Sequence, residues 1–410
     1  MPLTEDQKAI ISASVPVLEE HGVTLTSNFY AYMLENHPEV RPFFNKAHQI
    51  TKSQPKILAF ALVAYAKNIN DLTPLLGFVR QIVEKHVGLQ VQPEHYNIVG
   101  SCLLHTLKDM LGDAATPEFM EAWKVAYFDL ANILIDLEKA RYEEVITTEK
   151  GWEGFKPAKV VKLVKENDLV QSVYFKTEDG EFATPFPGQY ICIRFNVDGN
   201  IQSREYSLSN NLSDKYDYYR ISVKKIQGGV VSNFIHNKLA VGDTVEISSP
   251  YGKLLEPALK SIKNGDEDHK KPVMMFVAGI GVTPSLSIAE YFAKRGNKVS
   301  IFLSFSNLES TVFQKDFQDL SLKYPNVVLH QFLSRLPTTD AITSSMTNFK
   351  IHSRRPLITD LDLVIENNAN DFQYFMIGPL SYMEAMTSFL SQKGVDVAKV
   401  NSEQFGPVHV

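Results

Sequence analysis

The sequence has few cysteines, no long apolar run and no excess of basic residues. Cys102 and Cys192 are the only cysteines among 410 residues and fall in different predicted domains, so we expect free thiols and a reducing, cytoplasmic compartment. Two glycines and a proline interrupt the most apolar stretch, which begins at Val273, so no membrane span is predicted. The first residues, MPLTEDQK, lack the features of a secretory signal or transit peptide. A net charge of −6 argues against a nucleic-acid partner.

The length and composition predict a folded protein of several domains. A chain of 410 residues is too long to fold around one ordinary hydrophobic core. Its contents of 44% apolar and 21% charged residues are typical of globular proteins. Changes in hydrophobic periodicity divide the chain at two places. We predict an all-α domain at 1–149, an antiparallel β-barrel domain at 150–262 and an α/β domain with a parallel sheet at 263–410.

Helical periodicity runs through most of the first domain. Thr4 and Gln7 form a capping-box pattern, and His21-Gly22 is predicted to end the first helix. Pro93 and Pro117 are placed to open two later helices. An all-α domain follows from these signals.

Alternation of period two begins after residue 149. GWEGFKPAKV is predicted to be a turn-rich linker, and strands are predicted at VQSVYFKT, QYICIRF, YYRISVKKI and DTVEISS. Beyond residue 271, helical segments separate VMMFVAG, KVSIFLSF, NVVLHQF and FQYFMIG. Strands that alternate with helices are typical of a parallel α/β sheet.

His86 continues the apolar stripe of Ile82, and Gly88 is predicted to stop its helix. Three interpretations remain open: a core histidine bonded to a backbone carbonyl, a charge at a helix end, or a metal ligand. A ligand histidine needs an acceptor for its second ring nitrogen, and Tyr96 and Glu138 are candidates for that support. His95 is predicted to be exposed in a first helical turn.

Two glycine loops suggest dinucleotide chemistry. GGVVSNFIH places glycines before a helix whose free N–H groups can meet phosphate. FVAGIGVTP is a strand, a glycine loop and a helix start, but Pro284 replaces the third glycine of the usual fingerprint and no acidic residue follows about twenty positions later.

The whole chain resembles the flavohemoglobins. The resemblance rests on FYAYMLENHPEVRPFF, SQPKILAFA, EKHVGLQVQPEHYNIVG and AWKVAYFDLANILIDLEKARYEE, and on the flavin and nicotinamide segments PFPGQY, SREYSLSN, the G-x-G-x-T-P loop, the later G-P and SEQFGP. The resemblance implies a globin domain that binds haem b, a ferredoxin-reductase-like FAD barrel and an NAD(P)H-binding domain.

The same resemblance assigns roles to individual residues. It implies that His86 ligates the haem iron with support from Tyr96 and Glu138, and that Tyr30, Gln54, Leu58 and Phe44 line the opposite, distal side. For the other cofactors it implies the following set: Tyr190, Arg204, Tyr206, Ser207 and Ser232 for FAD, and Gly279, Gly281, Thr283, Pro284, Gly378, Pro379, Glu403 and Phe405 around the nicotinamide and the flavin face.

Three local features depart from expectation. Pro55 follows Gln54 where a helix is expected, and a proline disfavours helical angles in the residue before it. Ile377 stands where many flavohemoglobins have a cysteine, and Lys253 stands where an acidic residue is common in that family. Glu309, in SFSNLES, would repel a 2′-phosphate, which favours NADH.

The function implied is a nitric oxide dioxygenase that oxidises NO with O₂ to nitrate at a haem reduced by NAD(P)H through FAD. A haem-based sensor or sink with a resetting reductase, and a flavin diaphorase or hydroperoxide reductase, are the alternatives. O₂, NO and NAD(P)H are the expected small-molecule partners, with room for a lipid or other hydrophobic ligand in the distal pocket. A monomer is expected.

Overall fold

The computed structural model describes residues 3–44, 51–210, 217–256, 270–335, 348–365 and 368–405. In this part of the chain a helical region is followed by an antiparallel sheet and then by a parallel sheet. None of the described helices has the length and apolar character needed to span a membrane.

The described part of the helical region contains six α-helices. They are α1 (Glu5–Ala13), α2 (Val15–Asn36), α3 (Ser53–Lys67), α4 (Leu76–Leu89), α5 (Pro93–Leu111) and α6 (Pro117–Thr147), with a 3₁₀ helix at Pro38–Phe43. The capping box at Thr4 is present, and Pro93 and Pro117 open α5 and α6 as predicted.

The predicted helix end at His21-Gly22 is wrong. Helix α2 continues through both residues, and Ser14 separates it from α1. A Cβ at Gly22 would lie 3.3 Å from the Cβ of Ala59, so the glycine allows α2 and α3 to cross closely. Nearby, the Thr26 hydroxyl donates to the Pro55 carbonyl at 2.8 Å, which joins the same two helices.

The antiparallel sheet has six strands in the order β4-β3-β6-β1-β2-β5. They are β1 (Phe155–Lys165), β2 (Val170–Thr177), β3 (Tyr190–Val197), β4 (Asn200–Ser207), β5 (Tyr219–Lys224) and β6 (Thr244–Ser248), with helix α7 (Val230–Asn237) between β5 and β6. A bridge between Leu208 and Ile221 connects the two edges of the sheet, as a barrel requires.

The segment predicted as a linker, GWEGFKPAKV, is strand in its second half. Strand β1 begins at Phe155 and lies at the centre of the sheet between β2 and β6. Pro157 pairs with Glu246, although proline is uncommon in central strands. Buried Ala158 and Val160 show that burial of one face outweighs local propensity here.

The third region is a six-stranded parallel sheet in the order β10-β9-β8-β7-β11-β12. Its strands are β7 (Val273–Ala278), β8 (Val299–Phe305), β9 (Val327–Leu333), β10 (Phe349–His352), β11 (Gln373–Gly378) and β12 (Asn401–Gln404). Helices α8 (Val282–Lys294), α9 (Gln314–Lys323) and α10 (Leu380–Gln392) connect them. The four predicted strands are confirmed, whereas β10 and β12 had not been predicted.

The predicted domain limits are compatible with these elements. Helix α6 ends at Thr147 and β1 begins at Phe155, on either side of the predicted limit at 149. The predicted limit at 262 lies outside the described residues, as do Gly406 and Pro407 of the closing motif.

Candidate functional site

His86, Tyr96 and Glu138 form a hydrogen-bonded triad contributed by α4, α5 and α6. The His86 Nδ1 lies 2.7 Å from Glu138 Oε1 and 2.9 Å from Tyr96 Oη, and Tyr96 Oη donates to the same carboxylate oxygen at 2.5 Å. Glu138 is 3% exposed. Burial and the Glu138 carboxylate raise the pKa of Tyr96, so its phenol stays a protonated donor.

The triad leaves one ring nitrogen available for a ligand. In the tautomer with a proton on Nδ1, that nitrogen donates to Glu138 and Nε2 keeps its lone pair. A carboxylate on the second nitrogen orients a ligating imidazole and strengthens it as a donor. The side-chain partners show that His86 is not a core histidine bonded to a carbonyl, and the donor set fits an iron such as that of haem.

Gly88 does not stop the helix of His86, contrary to the prediction. Helix α4 ends at Leu89, and Gln90 takes the left-handed conformation at φ 62°. A Cβ at Gly88 would lie 2.5 Å from the Tyr190 hydroxyl, so this glycine makes room for a ring from β3. Tyr190 also donates to the Glu84 carbonyl at 2.6 Å, which ties the barrel to α4.

His95 is in the first turn of α5 as predicted, but it is half-buried instead of exposed. Its Nδ1 accepts from the Gln92 N–H at 2.9 Å, and its ring centroid lies 4.7 Å from that of Phe43. Burial lowers the pKa of His95. These contacts give it a capping role.

Tyr30 lies in a second polar position inside the helical region. It is 8% exposed, its ring centroid is 5.6 Å from that of Phe44, and its hydroxyl is hydrogen-bonded to Gln54. Leu58 and Phe44 pack against the same apolar cluster. Burial raises the pKa of Tyr30, which keeps the hydroxyl neutral and able to donate.

The conflict expected at Pro55 does not arise. Helix α3 begins at Ser53, so Pro55 is its third residue, where an N–H has no intrahelical acceptor. The Lys56 N–H, one residue later, makes the first such bond, to the Lys52 carbonyl at 3.1 Å. Gln54 is therefore helical and still reaches Tyr30.

The residues predicted to hold FAD lie on and around β3 and β4. Tyr190 pairs with Ser207, Ile191 with Tyr206, and Ile193 with Arg204. Arg204 donates to the Ser203 carbonyl at 2.6 Å. Burial raises the pKa of Tyr206 and lowers that of Arg204. Four of the five predicted residues thus lie on adjacent strands, with Tyr190 and Ser207 on one face of the pair and Arg204 and Tyr206 on the other.

The fifth predicted flavin residue, Ser232, lies in the first turn of α7. Its hydroxyl accepts from the Ile226 N–H at 3.1 Å, so it already shapes the turn before the helix. Gly229 is the N-cap of α7, in extended backbone. The glycine therefore lies at the N-terminus of α7 as predicted, while the Ser232 hydroxyl is hydrogen-bonded within the preceding turn.

The nicotinamide residues converge at the carboxyl edge of the parallel sheet. Gly279 has φ +56°, a conformation that favours glycine, and a Cβ at Gly281 would lie 2.5 Å from the Ile377 carbonyl oxygen. The Thr283 hydroxyl donates to the Ile280 carbonyl at 3.0 Å, and Pro284 is the third residue of α8. The loop therefore packs directly on β11.

Strand β12 and the following Phe405 lie at the same edge. Glu403 pairs with Ile377, and the Phe405 N–H donates to the Gly378 carbonyl at 3.1 Å. Pro379 is the N-cap of α10. The carboxyl edge of a parallel sheet is where α/β proteins bind dinucleotides.

Comparisons with known proteins agree with this arrangement. The Globin family matches residues 27–134, and the Oxidoreductase FAD-binding domain family matches residues 159–255. Flavohemoproteins of Schizosaccharomyces pombe and Pseudomonas putida are 43% and 36% identical over 99% of this chain, which covers 92% and 98% of those proteins. The chain belongs to the flavohemoprotein family.

A solved structure supports the fold assignment. The flavohemoglobin of Malassezia yamatoensis, a crystal structure with FAD and haem bound, is similar with a TM-score of 0.82 and 26% identity, over 98% of this chain and 100% of that one. As a flavohemoprotein, the chain combines a globin domain for haem, an FAD-binding domain and a sheet for NAD(P)H.

The structure also places two charged residues that the sequence analysis had not singled out, Lys85 and Glu205, near the predicted Glu403. Lys85, the residue before His86, makes an ion pair with Glu205 at 2.7 Å. Among the described residues, nothing forms a hydrogen bond with the buried oxygens Glu205 Oε1 and Glu403 Oε2. Burial raises the pKa of Glu403 to about 7, since the nearby Lys85 charge only partly offsets it and Glu205 adds to it.

This cluster joins parts of all three regions of the flavohemoprotein. Lys85 is on α4, Glu205 on β4 and Glu403 on β12. Glu205 stands between Arg204 and Tyr206 in the motif SREYSLSN, so its position was visible in the sequence. Its partner was not, because 120 residues separate it from Lys85.

Proposed function

We propose that this flavohemoprotein is an NAD(P)H-dependent nitric oxide dioxygenase. The overall reaction would convert one NAD(P)H, two NO and two O₂ into NAD(P)⁺, two nitrate ions and one proton. Haem, when bound, would supply O₂ activation, and FAD would convert a hydride into two single electrons. The observation that carries the proposal is the His86, Tyr96 and Glu138 triad in a domain that also holds the buried Tyr30 and Gln54 pair.

The proximal residues would ligate and orient. His86 would bind iron through Nε2, while Glu138 holds the ring by Nδ1 and Tyr96 fixes the carboxylate. A carboxylate partner makes the imidazole a stronger electron donor. Haem, when bound, would supply the O₂ chemistry, and the residues of the triad would give its iron a strong and oriented imidazole donor.

The distal residues would stabilise a polar diatomic ligand. The Tyr30 hydroxyl is neutral and buried, so it can donate to a ligand that carries partial negative charge. Gln54 would orient that hydroxyl, and Phe44 and Leu58 would exclude water from the pocket. The same apolar walls suit a hydrophobic ligand such as a lipid chain, which the proposal allows.

The reductase residues would deliver electrons. Gly279, Gly281 and Pro379 would admit the dinucleotide backbone, Phe405 would cover the flavin face, and Glu403 would stabilise the positive charge that develops on the nicotinamide as hydride leaves. The absence of an arginine in SFSNLES favours NADH as the coenzyme. The reducing compartment and monomeric state expected from the sequence belong to the same proposal.

Purified protein tests the proposal in three steps. Absorption spectra should show haem and flavin, anaerobic NADH should reduce both, and addition of O₂ and NO should produce nitrate in equal amount to the NO consumed. Reduction of both groups without nitrate would favour a sensor or sink. Dye reduction in a protein whose haem is never reduced would favour a diaphorase or hydroperoxide reductase.

A further inference from the structure

Helices α4 and α6 are joined at two levels, and only one of them is the His86 triad. Three residues beyond Glu138 on α6, the Arg141 Nε donates to Glu84 Oε1 at 3.0 Å, two residues before His86 on α4. The Arg141 side chain is 4% exposed. A cation this buried requires charged partners, and it has three: Glu84, Glu144 and Glu149.

Two of these carboxylates also form hydrogen bonds with the flavin-binding domain. Glu84 accepts from Arg141 through one oxygen, and its other oxygen accepts from the Gly252 N–H at 3.2 Å. Glu149 accepts from Arg141 at 2.7 Å, and its other oxygen accepts from the Gln189 amide at 3.1 Å. Arg141 therefore holds the Glu84 and Glu149 carboxylates in place, and each of them accepts a hydrogen bond from the flavin-binding domain through its other oxygen.

Lys253 completes the network from the barrel side. Its Nζ lies 3.3 Å from both Glu144 and Glu256 and 3.9 Å from Glu84. An acidic residue at this position would face three carboxylates. The departure at Lys253 is therefore matched to the acidic groups opposite it.

We propose that Arg141 is a positioning residue for electron transfer from FAD to haem, holding the helix of His86 and the flavin-binding domain in one arrangement. Without the Arg141 guanidinium, the largely buried carboxylates of Glu84 and Glu149 would repel each other. The flavin-binding domain would then lose its hydrogen bond to Glu84 on α4. The inference rests on the proposed function only in requiring that electrons pass from flavin to haem.

The test compares Arg141→Met, Arg141→Lys and Lys253→Asp with the matched control Lys67→Met. Lys67 pairs with Glu19 at 2.6 Å inside the helical region, away from the barrel. Anaerobic stopped-flow with NADH separates flavin reduction from the later haem reduction. Amide hydrogen exchange of residues 80–90 and 186–192, measured without NADH, reports the junction independently of turnover.

We expect flavin reduction to stay within about twofold and haem reduction to slow by about tenfold in Arg141→Met, because the fixed geometry that brings the two cofactors together is loosened. Exchange at the junction should rise. Arg141→Lys should recover part of the rate, because it keeps the charge but loses the fork. Lys253→Asp should slow haem reduction in a way that added salt partly reverses, and Lys67→Met should match wild type.

Unchanged haem reduction and unchanged exchange in both Arg141→Met and Lys253→Asp would overturn the proposal. If Arg141→Met does not fold, Lys253→Asp decides, because Lys253 is partly exposed on the barrel side and leaves the helical core intact. A wild type that reduces its haem but forms no nitrate contradicts the proposed function and leaves this comparison valid. If no electrons reach the haem, amide exchange decides the docking role.

Discussion

The helical domain and the nicotinamide-binding sheet build their sites by different means. Around His86 the geometry depends on polar side-chain atoms from three helices, within 2.9 Å of one another. At the sheet edge it depends on backbone that approaches backbone, as at Gly281 and Ile377. The first site should therefore fail when a polar atom is removed, and the second when a methyl group is added.

Loss of the His86 imidazole should have the largest effect. We expect His86→Ala to abolish the native haem spectrum while flavin absorbance and NADH-driven dye reduction survive, because the ligand and the flavin residues belong to separate domains. Spectra and dye assays of the purified variant measure this. His95→Ala is the control and should keep its haem; a normally ligated haem in His86→Ala would show that another residue is the ligand.

Addition of one methyl group at Gly281 should nearly abolish NADH-to-flavin transfer. Its φ of −58° is open to any residue, so only the approach to the Ile377 carbonyl opposes alanine. Overpacking of this kind costs about 1–3 kcal/mol and would shift the loop. Stopped-flow flavin reduction measures the effect. Gly77→Ala, where a Cβ meets nothing within 4 Å, should behave as wild type, and equal rates in the two variants would contradict the close-packing argument.

Removal of the Tyr30 hydroxyl should have an intermediate effect. A charge-assisted hydrogen bond to bound O₂ is worth roughly 1.5–3 kcal/mol, so Tyr30→Phe should weaken O₂ binding by about 10- to 150-fold. Haem content and reduction by NADH should survive, because the ring and its packing remain. Stopped-flow O₂ release from the reduced protein decides the matter: an off-rate equal to wild type would make Tyr30 a core residue only.

The smallest effect should be a change in pH dependence at Glu403. Its pKa is raised to about 7 from an ordinary value near 4.5, so its negative charge grows as pH rises through about 7. The negative charge stabilises the positive charge that develops on the nicotinamide as hydride leaves. The rate of flavin reduction by NADH should therefore rise over this pH range. In Glu403→Gln the few-fold rise of the flavin-reduction rate with pH should disappear, whereas Glu309→Gln should keep it. An unaltered pH profile in Glu403→Gln would assign the titration to another group.

The same shift has a consequence for stability, with a definite sign. The folded protein holds the Glu403 proton more tightly than the unfolded chain does. The stability that this group contributes is therefore fully present below pH 4.5 and is lost as pH rises through about 7. Urea unfolding at pH 5 and pH 8 should show a smaller difference for Glu403→Gln than for wild type.

Much of the fold was predictable because its signals are local. Prolines opened α5 and α6 where expected, and four strands of the parallel sheet were readable as short apolar runs. The two glycine errors have a common cause. Gly22 and Gly88 looked like helix stops, yet each makes room for a residue distant in the chain, Ala59 or Tyr190. A sequence shows a glycine but not what approaches it.

The candidate site divides along the same line. Periodicity placed His86 on the inward face of its helix, and the resemblance to flavohemoglobins implied the roles of the glycine-loop residues. The sequence alone thus determined most of the element types, with β1, β10 and β12 as exceptions, and the chemical groups available. Only the tertiary structure decided which charges meet, since Arg141 and Glu84 are 57 residues apart and Lys253 and Glu84 lie in different domains. The strength of an electrostatic interaction depends on the distance between the charges in space, and tertiary packing sets that distance.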